Sequence, residues 1–241
     1  DGGDQYDKDN VVKLIRQYKN EVDDWYISHY HCDHVFTFIR ILEEEDIFIK
    51  NLYYDFNVTN EILEKYGDED NYLVARMKRA VEDNRSKIGN IITPEKGNEF
   101  VTDGVKVKIL NDAMFRAMAN MPNDSSIVFK VETPGKNILF LGDLGTYGDV
   151  LLKDEYFYNE IQDCEVVQLG HHGQNGVSDK FYQSLPAMKV AIYCAPEWLF
   201  DCNAGKGIGS GSWLTLRTRE IMRVLKIRKT YSLKYGRVEL G

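Results

Sequence analysis

Between Asp9 and Tyr18 the apolar residues Val11, Val12, Leu14, Ile15 and Tyr18 fall near one face of a 3.6-residue repeat, which predicts a helix. WYIS, Trp25 to Ser28, reads as a short buried strand. Val35 to Leu42 is apolar enough for a packed helix and stops at the charged EEED. IFIKNLYYDF, Ile47 to Phe56, alternates as a strand does. Residues 59–87 read as helix in two pieces, broken at GDED, Gly67 to Asp70. In the second piece, Tyr72 to Ser86, Leu73, Met77, Ala80 and Val81 share one side and charges the other.

From Ile88 the pattern changes to short apolar runs separated by turn residues: IGNIITP, EFVTDGVKVKILN, SSIVFKVETPGKNILFLGD and CEVVQLG. These predict strands, with a hairpin turn at TPGK, Thr133 to Lys136. The last third mixes types: a helix at Asp179 to Leu185, a strand at MKVAIYCA, a helix at Leu214 to Leu225, and a strand pair around Tyr231 and Val238. GKGIGSGS, Gly205 to Ser212, reads as a flexible loop. It has neither the preceding strand nor the following Lys-Ser/Thr of a phosphate cradle. No repeat or low-complexity segment interrupts this α/β order.

Length and composition narrow the picture. A chain of 241 residues suits one large domain or two small ones, and a single α/β domain of this size can bury a sizeable core. Its 43% hydrophobic content, 15 Tyr and 11 Phe are those of a folded chain. No apolar run approaches the ~18 residues of a membrane span, and no signal segment is visible. A cytoplasmic location is favoured, with the true N-terminus expected to precede Asp1 in a longer protein. The four cysteines (Cys32, Cys164, Cys194, Cys202) show no framework spacing and suit a reducing compartment. The net charge of −8 is uneven. Basic residues cluster from Lys206 to Arg237, and the rest is acidic. An acidic body disfavours non-specific binding to long nucleic acid. The basic stretch reads chiefly as a solvated helix face at Arg217 to Arg228, able to supply one local anionic site.

All five histidines lie in two places, each just after an apolar strand: His29, His31 and His34 in ISHYHCDHV, and His171 and His172 in QLGHHGQNG. In an extended segment His29 and His31 point to the same side. Asp33 and His34 follow where the chain turns toward a helix. Ligand-type groups thus gather past a strand's C-terminal end, where α/β proteins usually place their sites. Imidazole with carboxylate suits Zn, Mn or Fe better than Ca or Mg. In FLGDLG, Asp143 ends the strand Ile138 to Leu141 with glycines on both sides. A lone Gly-Asp is ordinarily a turn; between two histidine loops it is the natural carboxylate to join two metals.

HYHCDH matches the H-x-H-x-D-H signature of the metallo-β-lactamase superfamily. The order DGG, H-x-H-x-D-H, NDSSIVFKVETPGKNILFLGD, HHGQNG resembles the branch containing the metal-dependent hydrolase domain of ComEC-type competence proteins. The resemblance runs from Asp1 to about Phe181. It implies an αββα sandwich of two mixed β-sheets flanked by helices, with the metals at the sheet edge. The chain would be a single domain over 1–241, lacking its N-terminal strands and carrying a helical insertion at 59–87. It also implies roles. His29 and His31 would bind one metal, Asp33 and His34 the other, and Asp143 both. One of His171 and His172 would complete the second site; His171, nearer the strand, is preferred. The superfamily's usual further histidine before the bridging aspartate is absent here. MPNDSS stands in that region, so Asn123, Asp124 or Ser125 is expected near the gap, and the first site is expected to be weak.

The cofactors so implied are two divalent ions, Zn or Mn, and the chemistry is hydrolysis by a metal-bound hydroxide. No G-x-S-x-G nucleophile occurs, and Cys32 reads as a small buried residue. Asp33 and Asp143 would serve the attacking oxygen, and His172 or a metal-bound water would protonate the leaving group. The branch points to a phosphodiester, and the acidic body to a small molecule or short nucleotide. A carboxylic ester, lactone or thioester is the alternative, or an inactive binding module stapled by its metal. Asn123, Ser125 and Trp198 are candidate substrate contacts, with Trp198 and Phe200 of PEWLFDCN offering stacking surface. Residues 24–34, 138–143 and 164–172 are each expected to be a strand followed by a loop, the three loops meeting at one site.

Overall fold

The protein is described by a computed structural model covering residues 1–115, 120–236 and 239. The strand expected around Val238 lies outside the described residues. Two compact units emerge: Asp1–Glu95 with Asp112–Ile127, and Lys96–Asn111 with Val128–Gly241.

In the first unit, helix α1 (Lys8–Ile15) leads into strand β1 (Glu21–Tyr26). Then come α2 (Cys32–Glu44), β2 (Phe48–Tyr53), α3 (Asn60–Tyr66), α4 (Tyr72–Asp83) and β3 (Ile88–Ile92), with the short α5 (Met121–Asp124) from the later segment. The sheet is parallel throughout, in the order β1-β2-β3. Parallel neighbours need long crossovers, and the helices between the strands supply them. α2 buries Val35, Phe38, Ile39, Ile41 and Leu42 at helical spacing. Phe38 meets the Trp25 ring edge-on at 5.0 Å. The expected break at GDED is where the chain passes from α3 to α4.

Two boundaries beside the first histidine cluster differ from the sequence expectation. The β1 ladder covers 21–26, not 25–28, because its pairing with β2 takes in polar residues: Glu21 and Asp23 alternate outward, and Asp24 accepts from Asn51 Nδ2 of β2. α2 starts at Cys32, not Val35. Its first-turn amides find acceptors: Cys32 N donates to the Asp70 carboxylate, and His34 N and Val35 N to the His31 carbonyl. Asp33 sits in the first turn, where a negative charge is favoured. Asp33 and His34 therefore belong to a helix, which holds them more rigidly than a loop.

The second unit holds β4 (Glu99–Thr102), β5 (Val105–Ile109), β6 (Phe129–Thr133), β7 (Lys136–Phe140), β8 (Val166–Gln168), β9 (Val190–Tyr193) and β10 (Lys229–Ser232) in one mixed sheet, ordered β10-β9-β8-β7-β6-β5-β4. β4 to β7 pair antiparallel and β7 to β10 parallel. The helices are α6 (Gly148–Leu151), α7 (Glu155–Glu160), α8 (Asp179–Gln183), α9 (Glu197–Phe200) and α10 (Thr215–Val224). The core joins Leu139, Val167 and Ala191 from the strands to Phe157 and Phe181 from the helices. The predicted turn at TPGK is the β6–β7 hairpin, with Thr133 opposite Lys136. In the Gly205–Ser212 loop, Asn203 Oδ1 accepts from Gly205 N and Gly207 N, so the side chain organises the turns.

Candidate metal centre

Each unit carries a His/Asp cluster just past a strand end. In the first, the chain leaves β1 at Tyr26, and His29, His31, Asp33 and His34 each offer a ligand atom. His29 and His34 are buried; His31 and Asp33 are half-buried. The His29 ring lies 4.7 Å from that of His31 and 4.2 Å from that of His34.

Hydrogen bonds decide which nitrogen each ring presents. His34 Nδ1 is 2.9 Å from the Asp1 carboxylate, which only accepts, so Nδ1 carries the proton and Nε2 the lone pair. Ser28 Oγ donates to the same carboxylate at 2.8 Å. Its one proton is thereby used, so it accepts from His29 Nδ1 at 3.1 Å, and His29 also presents Nε2. His31 is turned the other way: its Nε2 donates to Asp68 Oδ2 at 2.8 Å, leaving the lone pair on Nδ1. Burial pushes the Asp68 carboxyl up, but the bond to His31 and those to loop amides outweigh it and hold it below the usual carboxylate range. Asp33 Oδ2 lies 3.9 Å from His34 Nε2.

In the second unit, Gln168 at the end of β8 accepts from Leu141 N and Gly142 N, tying down the turn that follows β7. That turn, with Gly142 at φ +54°, buries Asp143. His171 and His172 occupy a tight turn at Gly170–Gly173, both in the left-handed region (φ +49° and +57°). Such backbone costs about 1–2 kcal/mol per residue, and strain of this kind gathers at functional sites. His172 Nδ1 donates to the Cys194 carbonyl at 2.8 Å, so its Nε2 carries the lone pair. That nitrogen lies 3.3 Å from Asp143 Oδ2. Two acceptors so placed call for positive charge between them, either a proton or a metal ion. The donor set thus fits a divalent cation. His171 Nε2 is 3.7 Å from Asp143 Oδ2, but its ring is engaged within its own loop, by the Gln174 amide at 3.0 Å and the Asn175 carbonyl at 3.3 Å.

The candidate substrate residues are placed as follows. Asn123 and Ser125 are buried in and beside α5, in the first unit. Ser125 Oγ donates to the Pro122 carbonyl, and Asn123 Nδ2 to Asn120 Oδ1. Ile127 N donates to the Ser28 carbonyl, which fastens this segment beside the chain entering His29. Trp198, on α9, is 49% exposed and tilts against Trp213 at 4.9 Å. Phe200 is no stacking surface: it is buried against Tyr193, with the Arg219 guanidinium over its ring. Cys32 is half-buried, and burial, with a bond to Asp70, pushes its thiol up to about 12, so it is not a nucleophile at neutral pH.

Sequence reasoning missed Asp1, Ser28, Asp68 and the Cys194 carbonyl as the groups that orient the histidines. DGG and GDED were visible as stretches, the second only as a helix break. A main-chain carbonyl has no sequence signal.

No protein-family profile and no curated protein matches the chain. Solved structures do. The metallo-β-lactamase-fold protein YhfI from Bacillus subtilis superposes with a TM-score of 0.52 at 10% identity, over 95% of this chain and 83% of that one. A Cronobacter sakazakii metallo-β-lactamase with a HARLDQ motif gives 0.40 at 15% identity, over 69% and 65%. The chain has the metallo-β-lactamase fold, a mixed α/β architecture with a mixed sheet flanked by helices.

Proposed function

We propose that the chain is a metal-dependent hydrolase acting on a phosphodiester, and that both His/Asp clusters serve one centre for two divalent ions, Zn or Mn. The joining of the clusters rests on the resemblance of their order along the chain to that of the superfamily. The observation that carries the reading is the oriented imidazoles: His29, His31, His34 and His172 each have one ring nitrogen fixed by a protein acceptor, which sets the tautomer of the ring. Second-shell partners of this kind fix the tautomer of metal-binding histidines.

In this reading His29 and His31 hold one ion, Asp33, His34 and His172 the other, and Asp143 both. His172, rather than His171, serves as the ligand, because its Nδ1 is pinned and its Nε2 faces Asp143. His171, whose two ring nitrogens are engaged by Gln174 and Asn175, braces the loop that carries His172. When bound, the ions polarise the ester and lower the pKa of water near them. Asp143 orients the attacking oxygen, and Asp1, Ser28 and Asp68 hold the rings in place. The phosphodiester follows from the resemblance to the ComEC-type branch, with support from the basic stretch near Arg217. Asn123, Ser125 and Trp198 remain candidate substrate contacts.

Asp143→Asn tests this. It keeps the size and removes the charge that offsets two cations. Metal-stimulated hydrolysis of bis-nitrophenyl phosphate should fall about 100-fold or more, while the melting temperature of the metal-free protein changes little. Should the parent hydrolyse no phosphodiester, carboxylic ester, lactone or thioester with added metal, while Asp143→Asn melts far lower, the chain is a metal-stapled binding module instead.

A further inference from the structure

The turn between α3 and α4 grips the H-x-H-x-D-H segment at three successive residues. Tyr30 OH donates to Asn71 Oδ1 at 3.4 Å, His31 Nε2 to Asp68 Oδ2 at 2.8 Å, and Cys32 N to Asp70 Oδ2 at 2.8 Å. The turn is itself braced. Asp68 Oδ1 accepts from Asp70 N, Asn71 Oδ1 accepts from Asp68 N, and Asn71 Nδ2 donates to the Leu63 carbonyl of α3. The two oxygens of Asp68 therefore have separate tasks. One is tied into the turn, and the other is aimed at the His31 ring.

We infer that Asp68 is a positioning residue for the metal centre: it holds His31 in its Nε2-protonated tautomer, so that this histidine alone in its cluster presents Nδ1. The inference rests on the proposed metal-binding role of His31. The consequence is physical. An unrestrained imidazole exchanges between tautomers and ring flips, and a ligand that must first be trapped in one state binds more weakly. A carboxylate on the far nitrogen also makes the ligating nitrogen more basic. The site of His29 and His31 has few protein ligands of its own, so it gains most from such preorganisation. The helical segment 59–87 thereby does more than cross from β2 to β3: it delivers the second carboxylate that this site uses. The Gly67–Asn71 turn also sets the start of α2, since Asp70 receives the first amide of the helix that carries Asp33 and His34.

Two readouts test this. The first is 15N NMR of the histidine rings in the metal-free protein, at a pH where they are neutral. His31 should be in the Nε2–H tautomer, shift toward a mixture in Asp68→Ala, and stay largely Nε2–H in Asp68→Asn, whose amide oxygen still accepts. Glu69→Gln, which removes a neighbouring charge that makes no bond to the signature, should leave the ring unchanged. The second is competition with a chromophoric chelator. Asp68→Ala should weaken the looser of two metal sites about 10- to 100-fold, the range typical of lost outer-shell partners, with a smaller loss in Asp68→Asn. A parent His31 in the Nδ1–H tautomer, or one unmoved by Asp68→Ala, overturns the inference. A parent that binds no metal sinks the proposed function, and the tautomer result still decides the role of Asp68.

Discussion

His171 and His172 are adjacent, alike in backbone strain, and each turns Nδ1 to a main-chain carbonyl, yet their Nε2 atoms meet different groups. The carbonyl of Cys194 takes the Nδ1 proton of His172 and turns its lone pair to the carboxylate. His171 spends its ring on Gln174 and Asn175. His172→Ala is therefore expected to lose about one of two metal equivalents after a chelator challenge, because a lost ligand costs far more than a lost neighbour. His171→Ala is expected to retain both. Elemental analysis of the two variants separates the roles. The candidate residues were visible in the sequence as five histidines in two post-strand positions. Which nitrogen each presents was not. The deciding partners lie far along the chain, 37 residues away for Asp68 and 22 for Cys194, and only the fold brings them near.

The turn that carries the second histidine pair depends on Gly173, at φ +77°. A Cβ there would come within 2.4 Å of the Tyr193 ring. Gly173→Ala combines left-handed strain with overpacking and should cost about 1–3 kcal/mol, visible as a lower melting temperature. A second prediction belongs to the β5–β6 pair. Glu132 on β6 faces Lys106 and Lys108 of β5 and Lys130 of its own strand. Burial pushes its carboxyl up, but the three ammonium groups outweigh this and bring it to about 2. A carboxyl depressed on folding stabilises above its ordinary value, and that contribution is lost as pH falls from about 4.5 toward about 2. Glu132→Gln should flatten the acid limb of the stability curve in that window, by about 1 kcal/mol after solvent screening. Acid titration followed by circular dichroism reads this directly. Most elements were legible from period and turn residues together, as at α1, the split of α3 and α4 at GDED, and the β6–β7 hairpin at TPGK. The start of α2 was not, because the acceptor of its first amide, Asp70, comes from another element.

The whole chain has the metallo-β-lactamase fold, with a parallel three-stranded sheet in one unit and a mixed seven-stranded sheet in the other. That fold was legible mainly through H-x-H-x-D-H and the order of the later motifs, since alternation and helical period alone allow many α/β arrangements. The net charge of −8 bears on substrate size. Long duplex DNA should show no retention at physiological salt in a mobility-shift assay, while a short nucleotide ester should be turned over. These histidines and aspartates are proposed above to be the metal ligands of one centre. Anomalous diffraction on either side of the Zn or Mn absorption edge, from crystals grown with the metal, tests this most directly. The expected result is two peaks, one at His29 and His31 and one at Asp33, His34 and His172, with the Asp143 carboxylate on both. Peaks confined to other side chains, or none at these, would contradict the account.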